Sequence, residues 1–487
     1  MALRFLTRTI YVIYGIFAGI LIINYITDFR NNYYIYLLFG LLVLCLAGTF
    51  ILAKGSSLLQ HFNEKKIFIV LLIICFAVKM AWVYFIRIEP LVDYATFYYT
   101  AKSLSDSFVI HNRYVALFPH IFGYASFLSI FFKIFGTSYL VPPIINVFLS
   151  TISMGLIFFL CKRISGYRTA IIASLLWIIF PSQTIYNMFV LSEPLYCTFL
   201  LLAWTVIEVI NEKLTRINIK KLLIYAVFLA LLFTLMNMAR PIAAVPLIAL
   251  AIWIFVVDTR HISHKKMFSK KTIYVVTVII SYFILSNLAN HYISARLGEK
   301  IATVPGYNIY VGLNMESLGR WNEPDSALLF HYNDLKGWTA EDAQKQMLEE
   351  AKKRLQSGNI DFPKLFYNKF LIFLGDDSAA AGYGNPVLHH AVRYSIILNI
   401  FYYFLISASL FGALVAFKNK NKSPVFFICL YLIGLTLAQM VVEVAARYHY
   451  SATIPMVLLA ALGISHFDVA RKDGNFKRET IPVQKDL

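Results

Sequence analysis

Charge is what this sequence has least of: Asp, Glu, Lys and Arg make up 14% of its 487 residues, against 59% hydrophobic residues. A soluble domain of ordinary composition carries about 25% charged residues, so no water-facing surface can be built over most of this chain. Acids are scarcer than bases, 26 Asp+Glu against 44 Lys+Arg, and the net charge is +18. Cysteine is sparse too. Cys45, Cys75, Cys161, Cys197 and Cys429 all lie inside apolar runs, which excludes a disulfide scaffold and makes them small buried hydrophobes with neither disulfide nor metal implied. Low-complexity tracts and fixed-period repeats are absent, and an aromatic content of 16% excludes disorder. The positive charge has no nucleic-acid signature beside it. It points to anionic headgroups and to orientation in a membrane.

What is present is a series of apolar runs near the length that crosses a hydrocarbon core at about 1.5 Å per residue. They are 9–27, 34–53, 67–88, 115–136, 138–161, 168–185, 189–210, 222–239, 241–257, 272–290, 395–417, 424–443 and 450–467. The first follows Arg4 and Arg8 but has no signal-peptide cleavage pattern, so it is expected to be a retained span. Lys and Arg in short loops mark the cytoplasmic side. The basic segments are Lys54 to Lys66, Lys162 to Arg168, Lys213 to Lys221, Arg260 to Lys271, Lys418 to Lys422 and the tail from Arg471. All of them share one side with twelve spans and not with thirteen. The run to demote is 115–136, which holds Pro119, His120, Gly123, Lys133 and Gly136 and would lie in the outer interface or dip in and return. The alternative demotes 168–185, which ends at Pro181.

This threading leaves 89–137 and 291–394 outside. Within the second, Thr339 and Asp342 form a capping-box-like start. Ala343, Met347, Ala351 and Leu355 recur at helical spacing and Gly358 ends the pattern, which predicts an amphipathic helix over 340–357. Phe362 to Leu374, with Lys364 and Lys369, suits a helix in the headgroup layer.

Ionisable groups near membrane depth are costly and therefore functional suspects. Asp93 follows a span, ahead of Tyr94, Tyr98, Tyr99 and Lys102. Glu193 begins one in Leu191-Ser192-Glu193-Pro194, where a broken helix start leaves N–H groups free to orient a ligand. Arg240 lies in the turn Met238-Ala239-Arg240-Pro241, and Glu443, Arg447, Tyr448 and His449 close another outer end. A charge at a span end is also what an interfacial anchor looks like, and His449 fits a satisfied structural histidine. Asp93 and Glu193 fit anchoring poorly, because carboxylates gain nothing from anionic headgroups. Glycosyl or phosphoryl transfer from a lipid-linked donor would unite these groups: a carboxylate takes the acceptor's proton while arginines hold the departing phosphate. In the long loop, Arg320, Glu323, Asp325 and His331 can contact an acceptor sugar and Trp321 can stack on one; a solvated loop carries the same residues. Asp376 and Asp377 can take a hard divalent cation or simply form a polar turn.

Val92-Asp93-Tyr94 through Tyr98, Ala101 and Leu104 resembles the first outer loop of the GT-C glycosyltransferases. The likeness is to family 39 and its relatives, the dolichyl-phosphate-mannose protein mannosyltransferases and the bacterial lipid A aminoarabinose transferase. Ile309 to Asn314 and Gly319 to Asp325 look like the outer-loop pattern of bacterial members. Leu191 to Leu195, Ala239-Arg240-Pro241 and Arg447-Tyr448 match in type and order. The resemblance implies an all-α polytopic membrane protein, a GT-C-type bundle of about 12 (11–13) transmembrane helices with a short first outer loop and a mixed outer loop of about a hundred residues. The implied parts are N-terminal additional spans over 1–66, a core over 67–290 with first outer loop 89–137, the extracytoplasmic loop 291–394, C-terminal spans over 395–467 and a cytoplasmic basic tail over 468–487. It further implies Asp93 as catalytic base, a polyprenyl-phosphate sugar as donor and transfer with inversion. The family often shows two acids in the first outer loop; here position 94 is Tyr and Glu89 is the near companion, so no cofactor is implied and a divalent cation stays an open alternative that no acidic pair in this loop supports. No large C-terminal soluble domain follows, which argues against whole-oligosaccharide transfer to asparagine.

The expected activity is transfer of one sugar, from the outer face of a cell membrane, to a wall polysaccharide, teichoic acid, glycolipid or protein. Arg240 and Arg447 would bind donor phosphate, and Glu193, Tyr94, Lys102, Tyr448, Arg320 and Trp321 would contact substrate. Two rivals remain: a transporter or flippase of lipid-linked sugars, and an O-antigen ligase or polymerase type of enzyme with a diphosphate donor. A transporter would place its polar groups at the midplane, where this chain is nearly free of charge.

Overall fold

The apolar runs fold as helices throughout. The computed structural model describes residues 2–28, 33–214, 216–257, 264–418 and 424–467, and among these all regular structure is helical. The chain is an all-α, polytopic membrane protein. Among the described residues nine helices are long and apolar enough to cross a membrane: Arg8–Thr27, Tyr34–Leu59, Glu64–Phe85, Val141–Ser165, Glu193–Lys213, Ile219–Ala239, Lys270–Leu297, Ala391–Lys418 and Ala446–His466. Tyr167–Ile179 and Pro181–Met188 make a tenth if they count as one span bent by 59°. His120–Phe135, Ala244–Trp253 and Phe427–Val441 are shorter apolar helices. The basic segments Arg260 to Lys271 and Lys418 to Lys422 lie partly, and the tail over 468–487 wholly, outside the described residues.

The two runs between which the basic loops left a choice are the irregular ones. Run 115–136 begins with the short helix Arg113–Leu117, is interrupted at Phe118 and Pro119, and continues as His120–Phe135. Run 168–185 breaks at Phe180, which is extended (φ −66°, ψ 109°) because the following proline disfavours helical geometry before it and has no N–H of its own. The best-covered span is Ala446–His466, 94% buried, packed against Ala391–Lys418 and Tyr167–Ile179. The residues just ahead of and inside its first turn are therefore held by the middle of the bundle.

Between Leu297 and Ala391 the chain forms helices Gly306–Gly312, Glu323–Asn333, Ala340–Gln356, Phe362–Leu374 and Ala379–Tyr383. Ala340–Gln356 starts from a reciprocal capping box, Thr339 N–H donating to the Asp342 carboxylate at 2.9 Å and Asp342 N–H to Thr339 Oγ1 at 3.3 Å. Ala340, Ala343, Met347 and Ala351 form its buried stripe. Arg354, on its last turn, donates to both Asp325 oxygens (3.1 and 2.9 Å) and to the Tyr310 carbonyl at 2.6 Å. Burial works to raise the Asp325 carboxyl, but Arg354, Asn322 and Asn314 outweigh it and hold it below its usual range. Asp325 thus belongs to the scaffold. Arg113 ties the first loop to this segment through the Asn333 side chain (2.8 Å) and the carbonyls of Asn333 and Trp338 (3.0 and 2.7 Å).

Two close approaches set the position of the chain around Arg240 and of the turn after Val441. A Cβ on Gly123 would meet the Met238 carbonyl oxygen at 2.0 Å, so helix His120–Phe135 lies directly on the backbone two residues before Arg240. A Cβ on Gly312 would meet the Val441 carbonyl oxygen at 2.5 Å, which brings the polar segment onto the end of helix Pro424–Val441. Just ahead of Asp93, Val92 has φ 50° and ψ −124°, in the turn closed by Tyr94 N–H to the Leu91 carbonyl at 3.0 Å. That geometry favours glycine and costs a β-branched residue about 1–3 kcal/mol. Val92→Gly should therefore be neutral to stabilising by about 1 kcal/mol in thermal unfolding, whereas Thr96→Gly, inside the helix that follows, should destabilise by about 1 kcal/mol.

Candidate active site

Four stretches of chain, far apart in sequence, deliver charge to one end of the bundle. Asp93 opens the helix Asp93–Asp106, and Glu193 opens Glu193–Lys213, with Pro194 at a first-turn position that needs no N–H. Arg240 terminates Ile219–Ala239, and Arg447 sits in the 3₁₀ turn Ala446–Ala452. Arg447 donates to Asp93 Oδ2 at 2.5 Å, and Arg240 forms an ion pair with Glu193. Both guanidinium groups lie over the Tyr448 ring, Arg240 at 5.0 Å and Arg447 at 5.6 Å from its centroid, so one aromatic side chain joins the two ion pairs. Glu193 is 8% exposed and Asp93 46%, a difference that leaves Asp93 the open carboxylate of the pair.

Tyr94 is buried and stacks on Phe189 at 4.9 Å, with Tyr383 edge-on at 5.5 Å. Its role is to fix the first turn that carries Asp93. Lys102 is exposed, more than two helical turns beyond Asp93, and does not join the cluster. Arg320 and Trp321 are exposed and follow Gly319, whose carbonyl accepts from Val444 N–H at 2.9 Å; they flank the site without touching its ion pairs. Glu443 N–H donates to the Asn308 carbonyl at 2.7 Å. The same turn is gripped by Lys369, whose Nζ donates to the carbonyls of Gly312, Met440 and Val442 at 2.9, 2.8 and 2.7 Å. Burial pushes that amine down to about 8.

Asp377 and His449 are both fully buried and meet at 2.9 Å. Burial raises the Asp377 carboxyl, while the hydrogen bond with His449 opposes the rise. This pair locks the segment after Phe362–Leu374 to the 3₁₀ turn that holds Arg447. Among the described residues no group of three His, Cys, Asp or Glu side chains is placed to hold a metal ion, and all five cysteines are free thiols.

A cavity of about 470 Å³ adjoins the ion pairs, with Arg240, His120, Asn237, Gln439, Glu443 and Tyr448 among its walls. Asp93 and Arg447 are outside that lining. A search for ionisable residues misses Asn237 and Gln439, which are uncharged amides inside apolar runs, and Tyr383, over which Arg447 lies at 5.5 Å. The only signal of the two amides in sequence is a polar side chain inside an apolar run.

The fold and site define an all-α membrane protein with paired acids and bases at one end of its spans. No family model matches the chain, and no curated protein matches it. Its solved structural neighbours include the archaeal oligosaccharyltransferase AglB from Archaeoglobus fulgidus, in complex with an inhibitory peptide and a dolichol-phosphate. That neighbour is 12% identical at a TM-score of 0.47, covering 87% of this chain and 53% of its own. Another is ArnT from Cupriavidus metallidurans bound to undecaprenyl phosphate, 10% identical at a TM-score of 0.34, covering 83% of this chain and 79% of its own. The chain thus spans about half the length of the archaeal oligosaccharyltransferase.

Two expectations follow from the charges. Arg240→Ala would strand Glu193 without a partner and should destabilise the protein by about 3–5 kcal/mol in thermal unfolding, and Glu193→Gln added to it should restore part of the loss. Glu443 stands beyond the end of Pro424–Val441. Burial pushes its carboxyl from 4.5 up to about 7, against the pull of Arg447. A folded pKa above the unfolded one contributes stability at low pH that is lost as pH rises through about 7. Unfolding between pH 4 and 8 should show this loss, up to about 3 kcal/mol, and Glu443→Gln should flatten it.

Proposed function

We propose that the protein is an inverting GT-C-type glycosyltransferase that moves a single sugar from a polyprenyl-phosphate donor to an acceptor hydroxyl at the outer face of the cell membrane. The observation that carries this reading is the pairing of an open acid with a cation, Asp93–Arg447, next to a buried acid–base pair, Glu193–Arg240, across one tyrosine ring. Asp93 accepts the proton of the acceptor hydroxyl as its oxygen bonds to the anomeric carbon. The bond from that carbon to the phosphate oxygen breaks, and its electron pair leaves with the lipid phosphate. Arg240 and Arg447 receive the phosphate with charge-assisted hydrogen bonds, exchanging carboxylate partners for phosphate oxygens. Until the phosphate arrives Glu193 holds Arg240 in place, and Trp321 and Arg320, exposed beside the anchored Gly319, meet the acceptor. The acceptor is a wall polysaccharide, teichoic acid, glycolipid or protein.

The test is sugar transfer from a radiolabelled polyprenyl-phosphate donor in membranes carrying wild type or Asp93→Asn at matched expression, with EDTA as a further arm. Asp93→Asn should lower the rate by about 10²–10⁴-fold while donor binding is retained, and EDTA should leave the wild-type rate unchanged. Full activity in the variant would remove Asp93 from the mechanism. Absence of transfer by wild type with every donor would shift the reading to a flippase of lipid-linked sugars.

A further inference from the structure

The cavity beside Arg240 has a lining that the transfer chemistry does not use. Its walls come from the last turns of Ile219–Ala239, from Lys270–Leu297 and from the end of Phe427–Val441, so it lies at the depth where spans give way to polar chain. Its volume of about 470 Å³ falls within the range of about 300–1,000 Å³ typical of small-molecule sites. Gln439 is 5% exposed, and its carbonyl Oε1 is buried with no hydrogen-bond partner. Leu437, Ala438, Met440 and Val441 surround it in sequence. An unpaired buried carbonyl costs about 1–3 kcal/mol, so packing alone does not explain glutamine there. Asn237, also in the cavity wall, accepts from Ala243 N–H at 3.4 Å through its Oδ1, and its NH₂ makes no hydrogen bond among the described residues.

A carboxamide offers a donor and an acceptor side by side, which matches a hydroxyl or an acetamido group. An ammonium brings donors alone and a carboxylate acceptors alone. The charged groups in the wall do not favour an ionic ligand: Arg240 is engaged by Glu193, and burial pushes the Glu443 carboxyl up toward its neutral form. We propose that this cavity holds the ring of the transferred sugar and selects a neutral one, hydroxylated or acetamido, over an amino sugar or a uronic acid. Gln439 accepts a hydroxyl or amide proton from the ring, and Asn237 donates to a ring substituent. This inference rests on the reading of Arg240 as phosphate ligand, because the ring bonded to that phosphate then has the cavity next to it.

The test uses the full chain in nanodiscs. Saturation-transfer NMR is run with methyl glucoside, methyl N-acetylglucosaminide, the cationic methyl glucosaminide and the anionic methyl glucuronide. Signal is expected from the two neutral glycosides and should fall about ten-fold in Gln439→Leu and in Asn237→Leu. Gln439→Asn, which keeps the amide on a shorter stem, should lose less. In parallel, affinities for undecaprenyl phosphate and for its glucosyl ester are compared; their ratio should be about ten in wild type and fall toward one in Gln439→Leu. Charged glycosides binding as well as neutral ones, or a ratio untouched by Gln439→Leu, would overturn the proposal while leaving the phosphate reading intact. Undecaprenyl phosphate binding that survives Arg240→Ala would instead overturn the phosphate reading, and the methyl glycosides would still decide what the cavity takes.

Discussion

Between Val441 and Ala446 the chain has no helix to satisfy its carbonyls, and Lys369 supplies the missing donors. Its ammonium has three N–H groups and three carbonyl partners, on Gly312, Met440 and Val442. The N–H groups of Glu443 and Val444 are taken in turn by the Asn308 and Gly319 carbonyls. The helix Phe362–Leu374, the polar segment and the end of a span are thereby fastened at a single turn. Glu443, Arg447, Tyr448 and His449 all project from the chain within or just after it. Their positions are set by backbone hydrogen bonds, which are harder to rearrange than exposed side-chain contacts.

The charges sort into two kinds. Asp325–Arg354, Arg113 with the Asn333 and Trp338 carbonyls, and His449–Asp377 are enclosed contacts that hold segments together. Asp93–Arg447 and Glu193–Arg240 differ in that they share an aromatic neighbour and border open space, and in that one member, Asp93, is half exposed. Asp93, the open carboxylate among them, leaves Arg447 a partner that can be exchanged.

Much of this was legible in the sequence because membrane spans announce themselves by length and composition. The capping box at Thr339, the stop at Gly358 and the break at Pro181 follow from local chemistry and stand where that chemistry puts them. The parity of basic loops called for one run fewer, and prolines, glycines and polar residues pointed to the two runs that turn out to be a short helix and a bent pair. The site was legible as a set of residues and not as pairs: nothing in the spacing says that Asp93 meets Arg447, 354 positions away, and not Arg240. In the sequence Lys369 is only one basic residue of a segment suited to the headgroup layer, since a lysine's three carbonyl partners cannot be seen from its neighbours in the chain. Gln439 and Asn237 escaped because they carry no charge.

The two ion pairs also bear on what the protein ignores. A bare arginine at the membrane surface is a trap for the phosphodiester of any abundant anionic phospholipid. Here each guanidinium already holds a carboxylate and rests on the Tyr448 ring, so a bulk lipid must displace an internal anion to enter. Such a ligand gains little from the exchange unless it brings further contacts of its own. On the proposed reading, resting neutrality thus acts as a threshold against the headgroup phosphates around Arg240 and Arg447.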